Sequence, residues 1–308
     1  MTPETLKRAL LVLGALLVGW GVFAVFRGSL SDRPVGLEVP AVPVGEVTRI
    51  DIEGPDDTLV IALDAAAPGG RWTVNGRPAS QTAVEEVFQS LADTAYSTEL
   101  IAESPASHER LGVDTLGGRH VVFLSGERAL LDLWVGNPGR DFESAYVRRE
   151  GEEATYLFRG RLASLLARRI DAWRDRHIGG VTADSVGMVT VQTPADRYNV
   201  QRFGDGWLMD GGVRADTGEV RRFLEELADL RAAGFPTAAQ EDSISFERPR
   251  RRLTVTGAGG DTLMALVFDS TQSGVWVRHD TGGVVWRLDP WRVNRIVPPE
   301  SLLAGRGQ

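Results

Sequence analysis

Residues 71–93 read RWTVNGRPASQTAVEEVFQSLAD, and residues 206–229 read GWLMDGGVRADTGEVRRFLEELAD. Both stretches carry the same order of signals. Trp72 corresponds to Trp207, each in a short extended run closed by a glycine-containing turn. Allowing one inserted residue, Val84, Val87, Phe88 and Leu91 correspond to Val220, Phe223, Leu224 and Leu227. Each set recurs at i, i+3, i+4 and i+7, the apolar stripe of an amphipathic helix. Ser80 and Asp216 stand just before these helices, where an N-cap side chain accepts from free backbone N–H groups.

Outward from this pair the correspondence continues. Upstream, VTRIDIEG (47–54) and DTLVIAL (57–63) answer to VGMVTVQT (186–193) and RYNVQRF (197–203). Downstream, RHVVFLSGERALLDLWVG (119–136) matches RRLTVTGAGGDTLMALVF (251–268), and SAYVRREGEEATYLF (144–158) matches GVWVRHDTGGVVWRL (274–288). Each reads as two strands around a tight turn. A last apolar stripe closes each half: Leu162, Leu165 and Leu166, then Val293, Ile296 and Val297. Each half is therefore expected to run β-β-β-α-β-β-β-β-α. The fold class is α+β: two tandem repeats of a mainly antiparallel sheet with packed helices, at 46–179 and 180–302. The boundary is expected near Gly179-Gly180, and residues 303–308 form a tail.

The N-terminus differs in kind. Ala9 to Phe26 contain no charged side chain. As a helix, at ~1.5 Å per residue, the run spans roughly 27 Å, close to the ~30 Å hydrocarbon core of a bilayer. Lys7 and Arg8 precede it, so the positive-inside rule keeps the N-terminus in the cytoplasm and sends the bulk of the chain across. The run is longer than a signal-peptide core and ends Ala24-Val25-Phe26-Arg27, a poor cleavage site. Residues 1–27 are expected to be a cytoplasmic N-terminus and uncleaved transmembrane anchor. Residues 28–45, broken by Pro34, Pro40 and Pro43, are expected to be an extended tether. The expected location is the cell inner membrane, single-pass, with the body extracytoplasmic (periplasmic).

Composition narrows the chemistry. Of the 308 residues, 43% are hydrophobic and 25% charged, enough to bury a core, and the formal net charge is −8. Glu4, Lys7, Arg8 and Arg27 sum to +2, leaving −10 on the rest. An acidic body disfavours nucleic acid, which needs clustered cations. Arg159, Arg161, Arg168, Arg169, Arg174 and Arg176 do cluster, at a spacing that reads as the solvated side of a helix. There is no cysteine, which excludes disulfides, thiolate metal sites and cysteine nucleophiles.

Lys7 is the only lysine, so the body has no Schiff-base or phosphate-loop lysine. His108, His120, His177 and His279 share no metal-ligand spacing, and His177 reads as a helix-end residue. The acidic pairs Asp56-Asp57, Glu85-Glu86, Glu152-Glu153, Glu225-Glu226 and Glu241-Asp242 are neighbours whose side chains diverge, on helix faces or in turns. No catalytic, cofactor-binding or metal-binding residue is assigned, and no cofactor is implied. The candidates for a ligand or partner surface are Arg140 and Asp141 in the turn GNPGRD (136–141), with Trp276 and Trp286 among the tryptophans able to line a carbohydrate groove.

One resemblance runs through most of residues 45–300. Trp72, Leu91, Leu111-Gly112-Val113-Asp114, Gly136, Tyr146-Val147-Arg148 and Arg174-Asp175 resemble the pattern of the bacterial domain of unknown function 4340. The second half departs from it, with Phe246-Glu247-Arg248-Pro249 where a second L-G-V-D would stand. Members of that family look like envelope proteins encoded beside ABC-transporter components, including gliding-motility-like ones. The resemblance implies a membrane-anchored accessory or scaffold protein of an ABC-type transport or envelope-remodelling complex, without catalysis of its own. The alternatives are an envelope module binding glycan, peptide or lipid, and, behind it, a hydrolase using carboxylates.

Overall fold

Alternating burial along the first two strands sets the architecture. In β1 (Arg49–Glu53) and β2 (Thr58–Asp64), Ile50, Ile52, Leu59 and Ile61 are fully buried, while the residues between them face outward. The computed structural model describes residues 37, 42–92, 97–141 and 143–305. The expected membrane span at 9–26 and most of the tether at 28–45 lie outside the described residues. No helix among the described residues is long and apolar enough to cross a membrane.

The strands continue as β3 (Arg71–Val74), β4 (Arg77–Pro78), β5 (Ser97–Ala102), β6 (Arg119–Ser125), β7 (Arg128–Pro138), β8 (Ser144–Arg149) and β9 (Thr155–Arg159). They form a nine-stranded sheet in the order β4-β3-β2-β1-β6-β7-β8-β9-β5. Next come β10 (His177–Gly179), β11 (Val186–Gln192), β12 (Arg197–Phe203), β13 (Gly206–Met209), β14 (Leu230–Arg231), β15 (Arg251–Gly257), β16 (Thr262–Thr271), β17 (Gly274–His279) and β18 (Gly282–Leu288). Seven of these build a second sheet, β13-β12-β11-β15-β16-β17-β18, and β10 pairs with β14 alone. Without β4 and β5, the first sheet follows the same order of hairpins as the second. The pairings are antiparallel, as between β6 and β7 or β16 and β17.

The helices are α1 (Gln81–Ala92), α2 (His108–Leu111), α3 (Arg161–Leu166), α4 (Ile170–Trp173), α5 (Thr217–Ala228), α6 (Ala238–Glu241), α7 (Pro290–Ile296) and α8 (Glu300–Leu303). The fold is thus α+β, mostly antiparallel sheet with helices. Both expected caps form: Ser80 Oγ accepts from Ala83 N at 3.2 Å, and Asp216 Oδ1 accepts from Gly218 N and Glu219 N at 2.8 and 3.0 Å. The α5 stripe Val220, Phe223, Leu224 and Leu227 is buried; on α1, Val84, Val87 and Leu91 are buried and Phe88 is half-buried.

By contact density the described residues divide into two units, those up to residue 60 with those of 85–168, and those of 61–84 with those from 169 onward. In the second, a continuous core runs from Ile178 and Val186 through Tyr198, Trp207, Leu253 and Phe268 to Ile296 and Leu303. Tyr198 donates to Pro298 O at 2.6 Å, and burial pushes its hydroxyl pKa up, keeping it a donor.

Two local expectations are corrected. The arginines between 159 and 176 do not share one helix, because α3 ends at Leu166 and α4 covers only Ile170–Trp173, and Arg174 is buried. His177 stands in β10, not at a helix end; its N–H donates to Asp175 Oδ1 at 2.9 Å.

Candidate functional site

Most of the residues that carry the resemblance build one corner. Gly112 ends α2 with φ +68°, a left-handed cap that suits glycine. The chain then turns Val113 inward, and Leu111 and Val113 pack with Trp134. Arg148 holds the corner: its Nε donates to Val113 O at 3.1 Å and its Nη1 to Glu152 O at 3.2 Å. At Gly136 a Cβ would stand 2.4 Å from Leu111 O, so only glycine lets the loop approach β7. Trp134 donates through Nε1 to the Glu150 carboxylate and stacks on His120, ring centres 4.7 Å apart. His120 Nε2 lies 2.6 Å from Asp132 Oδ1. These groups are committed to one another, so the corner is architecture.

Arg174 is different. Residues 173–175 lie alongside 78–80 as a short ladder: Ser80 N donates to Trp173 O at 2.7 Å, Asp175 N donates to Pro78 O at 3.0 Å, and Ala79 bridges Arg174. That pairing carries the Arg174 side chain inward. It is only 7% exposed, and its guanidinium carbon lies 3.5 Å from the centre of the Phe235 ring. Its buried Nη2 has no hydrogen-bond partner. Burial, and then the neighbouring charge of Arg77, pull its pKa down to about 10, with Asp171 and Glu241 opposing. At neutral pH it is still a cation. A cavity of about 150 Å³ lies against it, walled by Val74, Ile170, Pro236 and Ala238, with Arg77 and Glu241 at its side. Arg77 is taken by Glu241, Nη2 to Oε1 2.8 Å.

A larger open groove of about 540 Å³ lies among α5, α7 and α8. Its charges stand in ion pairs: Glu226 meets Arg295 at 2.5 Å and Arg292 at 3.8 Å, Glu219 meets Arg222 at 2.5 Å, and Glu225 lies 3.9 Å from Arg221. The acidic pairs behave likewise. Asp57 binds Arg119, Glu86 binds Arg168 at 2.6 Å, and Glu152 lies 3.5 Å from Arg149. Among the described residues, no group of three or more His, Asp or Glu is placed to hold a metal ion.

The expected surface residues separate. Arg140 and Asp141 are exposed, Asp141 lying 3.5 Å from Arg159. Trp276 and Trp286 are buried, at 0% and 6% exposure, with their indole N–H groups turned to Thr271 Oγ1 and Asp175 O. Neither offers a ring face to a sugar. Arg174 was legible as part of the resemblance but not as a pocket residue. Its one local signal is a charge placed directly after a core-type Trp.

The model of the family described as Domain of unknown function (DUF4340) matches residues 72–249, more than half of the chain. The chain belongs to the DUF4340 family. No curated protein and no solved structure matches it. The DUF4340 span includes the Arg174 cavity from Val74 to Glu241. It excludes α7 and α8, which make one side of the larger groove.

Proposed function

We propose that this DUF4340 protein is a single-pass, membrane-anchored extracytoplasmic accessory or scaffold domain of an ABC-type transport or envelope-remodelling complex. The observation that carries the reading is the uncharged run Ala9–Phe26 behind Lys7 and Arg8, joined by a proline-broken segment to an acidic body. The two sheets of like strand order support a tandem repetition of one α+β unit on this anchor. Exposed apolar residues beside the large groove, Trp291 at 55% and Leu302 at 48%, are side chains of the kind that protein interfaces use. The resemblance to envelope proteins encoded beside ABC-transporter components directs the choice of partner.

Affinity purification of the full chain from native membranes tests this reading. Transporter subunits are expected to co-purify, and the double substitution Trp291→Ser and Leu302→Ser is expected to reduce their recovery without unfolding the body. Recovery of the protein alone would sink the reading. Of the alternative, an envelope binding module, the buried Trp276 and Trp286 support no glycan groove. What the structure offers that reading is the Arg174 cavity.

A further inference from the structure

We propose that the cavity beside Arg174 is a binding site for a small monocarboxylate with a short apolar tail. This goes beyond the accessory role and does not depend on it, because it rests on the body of the protein alone.

A buried cation is stable when an opposite charge or several acceptors surround it. Arg148 meets that rule with backbone carbonyls, and Arg119 meets it with Asp57 and the carbonyls of Leu166 and Arg168. Arg174 does not. Among the described residues no carboxylate stands within ion-pair distance of it, and Nη2 is buried without an acceptor. Its one close partner is the Phe235 ring, which stacks on the guanidinium but accepts no hydrogen bond in the guanidinium plane. The fold therefore keeps a cation whose in-plane donors are not all used, next to an open space.

The shape and charge of that space select the anion. A guanidinium presents a planar fork that matches two carboxylate oxygens. Of the two arginines that line the cavity, Arg77 is held by Glu241 and Arg174 has no ion pair among the described residues, so the site offers one guanidinium to a monoanion. A phosphate dianion would bring its second charge towards Glu241 and against Val74, Ile170 and Pro236, which cannot solvate it. Those walls instead suit a short hydrocarbon tail. About 150 Å³ is well below the ~300–1,000 Å³ of drug-sized pockets, which limits the ligand to a few carbon atoms.

The test is a titration of the full chain in detergent, followed by the NMR signals of arginine side chains, with sodium butyrate, sodium phosphate and sodium chloride at equal ionic strength. Butyrate is expected to shift the Arg174 signal saturably, while phosphate and chloride do so at least about tenfold more weakly, as expected if one charge-assisted hydrogen-bonded contact decides the difference. Arg174→Met should abolish the butyrate response. Ala238→Leu narrows the cavity from an exposed helix position and leaves Arg174 in place, so it should weaken butyrate even if Arg174→Met folds poorly. Glu241→Gln should tighten binding, because it frees Arg77 and removes a competing carboxylate. Equal responses to all three salts, or a butyrate affinity unchanged by Ala238→Leu, would overturn the proposal.

Discussion

Trp173→Ala is expected to destabilise the protein by about 3–5 kcal/mol, the range for deleting a large aromatic side chain from a packed core. Trp173 is 0% exposed and is among the largest fully buried side chains. The substitution keeps the backbone bond from Ser80 N to Trp173 O, so the loss is that of the indole and the cavity it leaves. Urea unfolding followed by circular dichroism measures it. The midpoint should fall while the slope stays unchanged, since the surface exposed on unfolding is nearly the same. Trp291→Ala is the control. With that ring 55% exposed, the expected change is within about 0.5 kcal/mol.

Arg148→Met is expected to cost about 3 kcal/mol, for a different reason. The methionine replaces most of the apolar stem, while the guanidinium that stands 5.5 Å from the centre of the Trp134 ring is lost with the charge. What goes is the set of charged donors to Val113 O and Glu152 O, and the buried Val113 carbonyl is left without its side-chain donor. A lost charge-assisted bond and a stranded acceptor each cost roughly 1–3 kcal/mol. Hydrogen exchange separates this effect from that of Trp173→Ala. Arg148→Met should raise exchange first at Gly112 and Val113, whose amides bond to Glu109 O and His108 O, while the α5 amides stay protected. Uniform loss of protection across both regions would contradict the corner as the point of failure.

What the sequence revealed of this fold is what local signals encode. Period-two alternation, glycine turns and caps act over a few residues, and they identified the hairpins β6–β7, β8–β9, β15–β16 and β17–β18 and the helices α1 and α5. The edge additions were not legible. β5 pairs with β9, and its partner is set by the sheet rather than by its own residues. The site shows the same division. In the sequence Arg174 reads as one more charge in a basic helix, because its burial comes from pairing with 78–80, far away in the chain. Trp276 and Trp286 read in the sequence as rings able to line a ligand groove. Their burial depends on tertiary packing, which period-two alternation alone does not decide.

Membrane anchoring through residues 9–26 is the central claim, and protease access to intact spheroplasts tests it most directly. With the body held outside the cytoplasm, added protease should digest it before lysis, while a cytoplasmic control protein survives. A body that is fully protected until the membrane is broken would contradict the orientation set by Lys7 and Arg8, and with it the proposed extracytoplasmic role.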